Sequence, residues 1–263
     1  MIIVKVGGAA GTEVEALIED LVGREDIILV HGGSDEMNRL SEEMGQPPRF
    51  VTSPSGHTSR FTDEATLDLV RMTYSGKVNK RLVEAMRARG IEALGLSGID
   101  GGLLKGRRKG SVRYVENGKV KLLRGDNTGT VEEVNTPLLK LLMGDGYVPV
   151  VTIPILAEDG GALNADADRV AAAIAIAMGA DSLVLLTNQR GLLKDPEDPN
   201  SLVERVTQGT YEECMVYAQG RMKKKVMAAM DAVKGGVERV VIGNVNIQAP
   251  LTRALEGEGT LVC

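Results

Sequence analysis

Two glycine pairs carry the first chemical hint. One lies in Lys5-Val6-Gly7-Gly8-Ala9 and the other in His31-Gly32-Gly33-Ser34. Each follows a short apolar run, at residues 2–6 and 27–30, that reads as a β-strand. Glycine lets backbone N–H groups approach anionic oxygens, and the N-terminus of a following helix adds positive potential. A glycine pair can also be no more than a tight turn. Lys5 tips the balance, because an ammonium group inside an otherwise buried strand is costly unless it reaches an anion. Phosphoryl transfer needs such cations, since negative charge spreads over the transferring oxygens. The GxxxxGK[ST] phosphate loop, the GxGxxG turn and the protein-kinase motifs are absent from the sequence, which argues against those nucleotide-binding classes.

The elements that must position these residues alternate along the whole chain. Helical spacing follows the first strand (Val14, Leu17, Ile18, Leu21, Val22), and residues 35–44 continue the second. Residues 62–89 read as one long helix or two consecutive ones ending at Gly90, before a strand at 93–96. Residues 111–123 alternate about Asn117-Gly118, a strong signal for a tight hairpin. Thr136-Pro137 opens a helix. A strand at 147–153, a helix at 167–178, a strand at 182–186, helices at 211–218 and 222–234, and strands at 239–242 and 260–262 complete the chain. Apolar strands joined by helices predict a three-layer αβα sandwich around a mainly parallel sheet. The glycine pairs then fall at the carboxyl ends of strands, where such sheets bind ligands. The turn near 156–161 divides the chain into two lobes, 1–157 and 158–263, expected to share one sheet.

Composition narrows the function. The net charge of −5 gives no basis for general nucleic-acid binding. Cys214 and Cys263 have no paired spacing, and His31 and His57 are the only histidines, so no protein metal site is expected. No apolar run approaches the ~20 residues that cross a bilayer, and a cytoplasmic location is expected. Charge is uneven, however: residues 105–124 hold eight basic side chains against Glu116 alone.

Five blocks in order give the chain a resemblance to the amino-acid kinase family, in its N-acetylglutamate kinase branch. They are Lys5-Val6-Gly7-Gly8, Val30-His31-Gly32-Gly33, the stretch from Gly95 to Gly101, Asn164-Ala165-Asp166-Ala167-Asp168, and the stretch from Gly220 to Val226. The resemblance implies ATP as phosphoryl donor, with Mg²⁺ carried by its phosphates. It implies that Lys5 and Lys225 contact the phosphate chain from opposite lobes and that Asp168 orients both ammonium groups. Asp166 is then an ordinary cap, and Lys223 and Lys224 a solvated helix start. Gly8, Gly32 and Gly33 would offer N–H groups to the phosphoryl group and the attacking carboxylate. Arg60 would clamp the acceptor's α-carboxylate, Asn164 would touch the acceptor, and Thr187, Asn188 and Gly191 would hold the nucleotide. Many relatives have aspartate at the position of Asn188. An acceptor carboxylate is already ionised near neutrality, so His31 is expected to be structural rather than a base.

Three stretches resemble a narrower group, the carrier-protein kinases of archaeal and Thermus-type lysine and arginine synthesis. They are Ser34-Asp35-Glu36-Met37-Asn38, Ser59-Arg60-Phe61-Thr62-Asp63, and the basic hairpin. That resemblance implies an acceptor, aminoadipate or glutamate, held by an amide to a small acidic LysW-type protein. Lys105, Arg107, Arg108, Lys109, Arg113, Lys119 and Lys121 are then candidates for docking that carrier, although a basic hairpin can also be only a solvated sheet edge. Free N-acetylglutamate is the alternative acceptor, and a regulatory protein without catalysis the alternative class. A homodimer is expected by analogy, partly because the chain begins directly on its first strand.

Overall fold

Five consecutive apolar or nearly apolar strands have no face to give to water, so helices must cover both sides of the sheet they build. The computed structural model describes residues 1–54, 56 and 58–263; Ser55 and His57 lie outside the described residues. The chain runs β1 (Ile2–Val6), α1 (Glu15–Asp20), β2 (Ile27–His31), α2 (Ser34–Glu43), β3 (Phe50–Thr52) and β4 (Thr58–Arg60). It continues through α3 (Glu64–Val70), a π-helical segment (Arg71–Val78), α4 (Asn79–Arg87), β5 (Ala93–Gly98), β6 (Leu104–Glu116) and β7 (Lys119–Val134). Next come α5 (Thr136–Gly144), β8 (Val148–Ala157), β9 (Ala162–Leu163), α6 (Ala167–Met178) and β10 (Ser182–Thr187). The last elements are β11 (Arg205–Val206), α7 (Tyr211–Met215), α8 (Gly220–Lys234), β12 (Arg239–Asn244), α9 (Pro250–Glu256) and β13 (Thr260–Val262).

One sheet runs β11-β13-β12-β10-β1-β2-β8-β6-β7, with β5 and β9 also paired to β8. It is mainly parallel, as expected. The antiparallel pairs are β12 with β13, β6 with β7, and β8 with β9. β1 lies between β2 and β10, so strands from the first and last thirds of the sequence meet at the centre of the sheet.

The alternation along β1 decides what its lysine can reach. Ile3 packs in the apolar cluster formed with α6 and α8, whereas Val4 and Val6 pack in the cluster on the opposite face with α1, α4 and α9. With a side-chain period of two, Lys5 shares the face of Ile3. It therefore points toward α6 and α8.

Several elements differ from the sequence reading. The hairpin is much longer than 111–123, pairing from Leu104↔Val134 to Glu116↔Lys119. Register shifts at Lys105/Gly106, Arg108/Gly110 and Gly110/Ser111 break the alternation that would have marked the rest. β8 runs past Pro154, where a residue without an N–H had ended the expected strand. The long helix at 62–89 is realised as α3, the π-helical segment and α4 in one continuous rod. The short β3–β4 hairpin and α9 were not anticipated, although Pro250 in the first turn of α9 is a usual start signal.

Candidate active site

Three buried charges meet beneath the glycine pairs. Lys5 arrives from β1, Asp168 from the first turn of α6 and Lys225 from α8. Lys5 Nζ lies 2.7 Å from Asp168 Oδ1. Lys225 Nζ donates to both carboxylate oxygens, at 2.9 and 3.0 Å. All three residues are more than nine-tenths buried. Asp166 takes a different role: it caps α6 by accepting from the backbone N–H groups of Asp168 and Arg169.

The group carries one positive charge more than it can neutralise. Burial opposes ionisation of Asp168, but the ammonium groups of Lys225 and Lys5 outweigh it and hold the carboxyl well below the usual carboxylate range. Lys225 is pulled below an ordinary lysine, by burial above all, with Asp168 opposing and Lys5 adding to the depression. One carboxylate faces two ammonium groups, so the group holds an excess positive charge that an anion entering the cleft would neutralise.

The glycine pairs interlock above this group. A Cβ on Gly8 would lie 2.1 Å from the nitrogen of Gly33 and 2.5 Å from the carbonyl carbon of Gly32, so no other residue fits. Ser34 Oγ and the N–H of Asp35 both donate to the Gly8 carbonyl and tie the two loops together. The N–H of Gly32 already donates to Val6 O at 3.0 Å. The Gly32 N–H is thus engaged within the fold, where a Cβ would lie 3.0 Å from the nitrogen of Gly8. Of the three glycines expected to offer N–H groups, Gly8 and Gly33 differ from it. Neither of those N–H groups has a hydrogen-bond partner among the described residues.

His31 is tied into the second loop through both ring nitrogens. Its Nδ1–H donates to Gly32 O at 2.9 Å, and its Nε2 accepts from Asn79 Nδ2 at 3.1 Å. Asn79 also donates to Val150 O and accepts from Lys80. A Cβ on Gly95 would lie 2.0 Å from the Asn79 amide oxygen, which explains the glycine on β5. Burial, chiefly, pushes the His31 pKa down to about 4. The ring is neutral at physiological pH.

Arg60 and Asn164 flank the cleft on the other side. Arg60 ends β4, stacks over the Phe50 ring at 4.9 Å and donates through Nη2 to Asn38 Oδ1. Its Nη1 is buried without a partner among the described residues. Burial makes Arg60 less basic, and Arg221 adds to that effect. Tyr74, in the π-helical segment, packs against the Cα of Gly33 and has its pKa pushed up to about 12 by burial, with Arg60 and Arg221 pulling the other way. Asn164 Nδ2 donates to Thr62 Oγ1 at 3.0 Å, and the Thr62 N–H donates to the buried Asp126. This network joins β9, the base of β7 and the start of α3.

On the opposite side, Asn188 Nδ2 reaches Ala10 O at 3.3 Å and Asn246 Nδ2 reaches Gly11 O at 2.6 Å, anchoring the loop that follows Gly8. Thr187 ends β10 and donates to Asn188. Gly191 is packed against β13, where a Cβ would lie 2.5 Å from Thr260 Oγ1. Its glycine is explained by packing.

The hairpin divides into two halves. Near the sheet, Lys105 pairs with Glu133 at 3.7 Å, Arg107 with Glu132 at 3.3 Å, and Arg108 with Asp159 at 3.1 Å. Farther out, Lys121 pairs with Glu116. Lys109, Arg113, Lys119 and Arg124 form no ion pair among the described residues. Four of the seven expected docking side chains are therefore already matched by acids, three of them by acids outside the 105–124 stretch that its charge count could not reveal.

Asn38, Tyr74 and Arg221 were missed as cleft residues. Tyr74 and Asn38 sit within amphipathic helical patterns where they look like ordinary packing and surface positions. Arg221 lay inside a quoted block without a role.

Comparison with known proteins agrees with this geometry. The chain is 53% identical over 266 residues to a LysW-aminoadipate kinase of Deinococcus radiodurans, covering all of this chain and 91% of that one. It is 52% identical to the LysW-aminoadipate kinase of Thermus thermophilus and 44% identical to an acetylglutamate kinase of Methanopyrus kandleri, in both cases over the full length of each chain. Among solved structures, carbamate kinase from Giardia lamblia bound to AMP-PNP shares the fold with a TM-score of 0.67 at 14% identity, covering 99% of this chain and 97% of that one. Residues 1–244 match the family model described as the amino acid kinase family. With paired lysines on one buried aspartate beneath interlocked glycine loops, and with relatives matched end to end, the chain belongs to the amino acid kinase family.

Proposed function

We propose that this chain transfers the γ-phosphoryl group of ATP to the distal side-chain carboxylate of α-aminoadipate or glutamate carried on a LysW-type protein. A carboxylate oxygen forms the new P–O bond as the bond to ADP breaks, giving an acyl phosphate with no covalent enzyme intermediate. The observation that carries this reading is the buried, net-positive Lys5–Asp168–Lys225 group. Lys5 and Lys225 stabilise charge on the transferring oxygens, and Asp168 holds both ammonium groups in place before the donor arrives. The N–H groups of Gly8 and Gly33 assist at the same point. Positioning and electrostatics supply the rate enhancement.

Residues 1–157 are assigned to the acceptor and 158–263 to ATP, with Thr187, Asn188 and Gly191 on the nucleotide side and Mg²⁺ carried by the phosphates. Arg60 takes the α-carboxylate of the acceptor, a role its unpartnered Nη1 supports. Gly32 shapes the cleft, and Asn164 contacts the acceptor. The unmatched cations Lys109, Arg113 and Lys119 lead the docking of the acidic carrier, and a homodimer working in the cytoplasm is the proposed form.

Lysine or arginine synthesis is the corresponding role, and the full-length identity to two LysW-aminoadipate kinases favours a carrier-linked acceptor. Free N-acetylglutamate is the second reading, supported by the acetylglutamate kinase relative. The test offers LysW-linked aminoadipate, LysW-linked glutamate and free N-acetylglutamate side by side and follows ADP. Turnover with a carrier-linked acceptor is expected; robust turnover with N-acetylglutamate alone would sink the carrier reading. Binding of carrier without any ADP would point instead to a regulatory protein.

A further inference from the structure

Arg221 has no task in the reading above. It follows Gly220 in the first turn of α8, four residues before Lys225, so the two side chains share a helix face. Lys225 on that face is buried against Asp168, which turns Arg221 toward the same cleft. Arg221 itself is exposed and forms no ion pair among the described residues. A cation in the first turn also opposes the helix dipole. That cost has no local partner to offset it, and an anion entering the cleft would supply one.

The opposite wall supplies the second observation. Arg60, on β4, keeps Nη1 buried with no acceptor among the described residues. Its basicity is lowered by burial first and by Arg221 as well, and Tyr74, packed on Gly33, is raised by burial while both guanidinium groups pull against that. Arg60, bonded to Asn38 on the helix that follows the second glycine pair, and Arg221, one turn before Lys225 on α8, bear on one space from different halves of the chain. Arg60 lies deeper, and Arg221 nearer the solvent.

We propose that Arg221 is a specificity-determining residue that holds a carboxylate lying beyond the acceptor's amide bond, while Arg60 takes the α-carboxylate below it. The inference rests on the carboxylate-kinase reading. An acceptor joined through its amide to an acidic chain carries anionic groups on the far side of that amide. A simple N-acetyl amino acid carries a methyl group there. Arg221 tells these two classes apart.

Two small acceptors isolate the effect: N-acetyl-α-aminoadipate, and α-aminoadipate acylated by the γ-carboxyl of N-acetylglutamate. They share the reacting carboxylate and the α-carboxylate, and only the second has a carboxylate beyond the amide. Each is measured as acceptor and as competitor against LysW-linked aminoadipate. With the wild-type chain, affinity is expected to favour the glutamyl compound by about tenfold, the low end for a charge-assisted hydrogen bond at a partly exposed site. The preference should appear in KM rather than kcat. Arg221→Met should bring the ratio close to one, and Arg221→Lys should restore part of it. A wild-type ratio near one, or an unchanged ratio in Arg221→Met, overturns the proposal. So does failure of both compounds to bind an enzyme that turns over the carrier-linked acceptor. An enzyme inactive on every acceptor overturns the carboxylate-kinase reading itself.

Discussion

Cations gather in two places in this molecule, and the two gatherings behave in opposite ways. At the junction of β1, α6 and α8, two lysines share one aspartate in a space almost closed to water. On the β6–β7 hairpin stand eight basic residues, all exposed except the half-buried Arg108, and half of them have acidic neighbours. In the first place a single uncompensated charge has large consequences, because little solvent screens it. In the second, many charges have small individual effects, because exposed pairs contribute about 0–1 kcal/mol and salt screens them. The number of charges is a poor guide to their effect. Burial and the absence of a counter-charge decide it.

Four measurements would break or sharpen that contrast, taken from the largest effect down. Lys225→Met removes one of the two buried ammonium groups, and kcat should fall about a thousandfold, by analogy with loss of a charge-stabilising donor. A loss of less than tenfold in steady-state assays would move the catalytic role elsewhere. Asp168→Asn leaves two buried ammonium groups without their carboxylate and should cost about 3–5 kcal/mol of stability by denaturant unfolding, with little dependence on added salt. A strong salt dependence would mean that the site is wetter than its burial implies.

His31 gives a third test, through pH. Its pKa is about 4 in the folded chain against 6.5 for an unperturbed side chain. Below pH 6.5 the unfolded chain takes up a proton that the folded chain refuses, so stability present at neutral pH is lost as pH falls toward 4. The loss amounts to about 3 kcal/mol over that window. His31→Gln should flatten this part of the stability profile relative to wild type, and parallel profiles would refute the assignment.

The fourth and smallest test lies on the hairpin. Combining Arg113→Glu with Lys119→Glu should leave unfolding free energy within about 0.5 kcal/mol, yet raise KM for a LysW-linked acceptor about tenfold at low salt, with the difference shrinking as ionic strength rises. Arg107→Gln, which removes a side chain already matched by Glu132 and Glu158, should change KM far less. If the two variants behave alike, the division of the hairpin cations into matched and unmatched sets has no functional meaning.

The buried centre was only partly legible in the sequence. Lys5 stood out because a cation interrupts an apolar strand, and that is a local signal. Asp168 and Lys225 carried no such signal. Asp166 was an equally good cap candidate, and Lys225 was one of three consecutive lysines. Only the packing of α6 and α8 on the Lys5 face of β1 distinguishes them, and helix packing is not written in residue spacing. Here the family resemblance supplied what periodicity could not. The hairpin posed the reverse problem: its charge was obvious, but the partners lie outside the basic stretch, Glu132 and Glu133 coming into register only after bulges shift the ladder and Asp159 arriving from the turn after β8. Tyr74 was hidden because a buried aromatic in a helix reads as core.

The place of β1 in the sheet also governs how the chain comes to exist. Its two neighbours are β2, which follows almost at once, and β10, which begins at Ser182. During synthesis from the N-terminus, one edge of β1 stays open until β10 emerges. An apolar strand with an open edge is a template for pairing with other chains. Lys5 lies on that waiting strand, and Lys225 is made later still. A nascent fragment that ends before α8 therefore lacks half of the buried cation pair, and the interval before β10 appears is when the chain most needs protection from its neighbours.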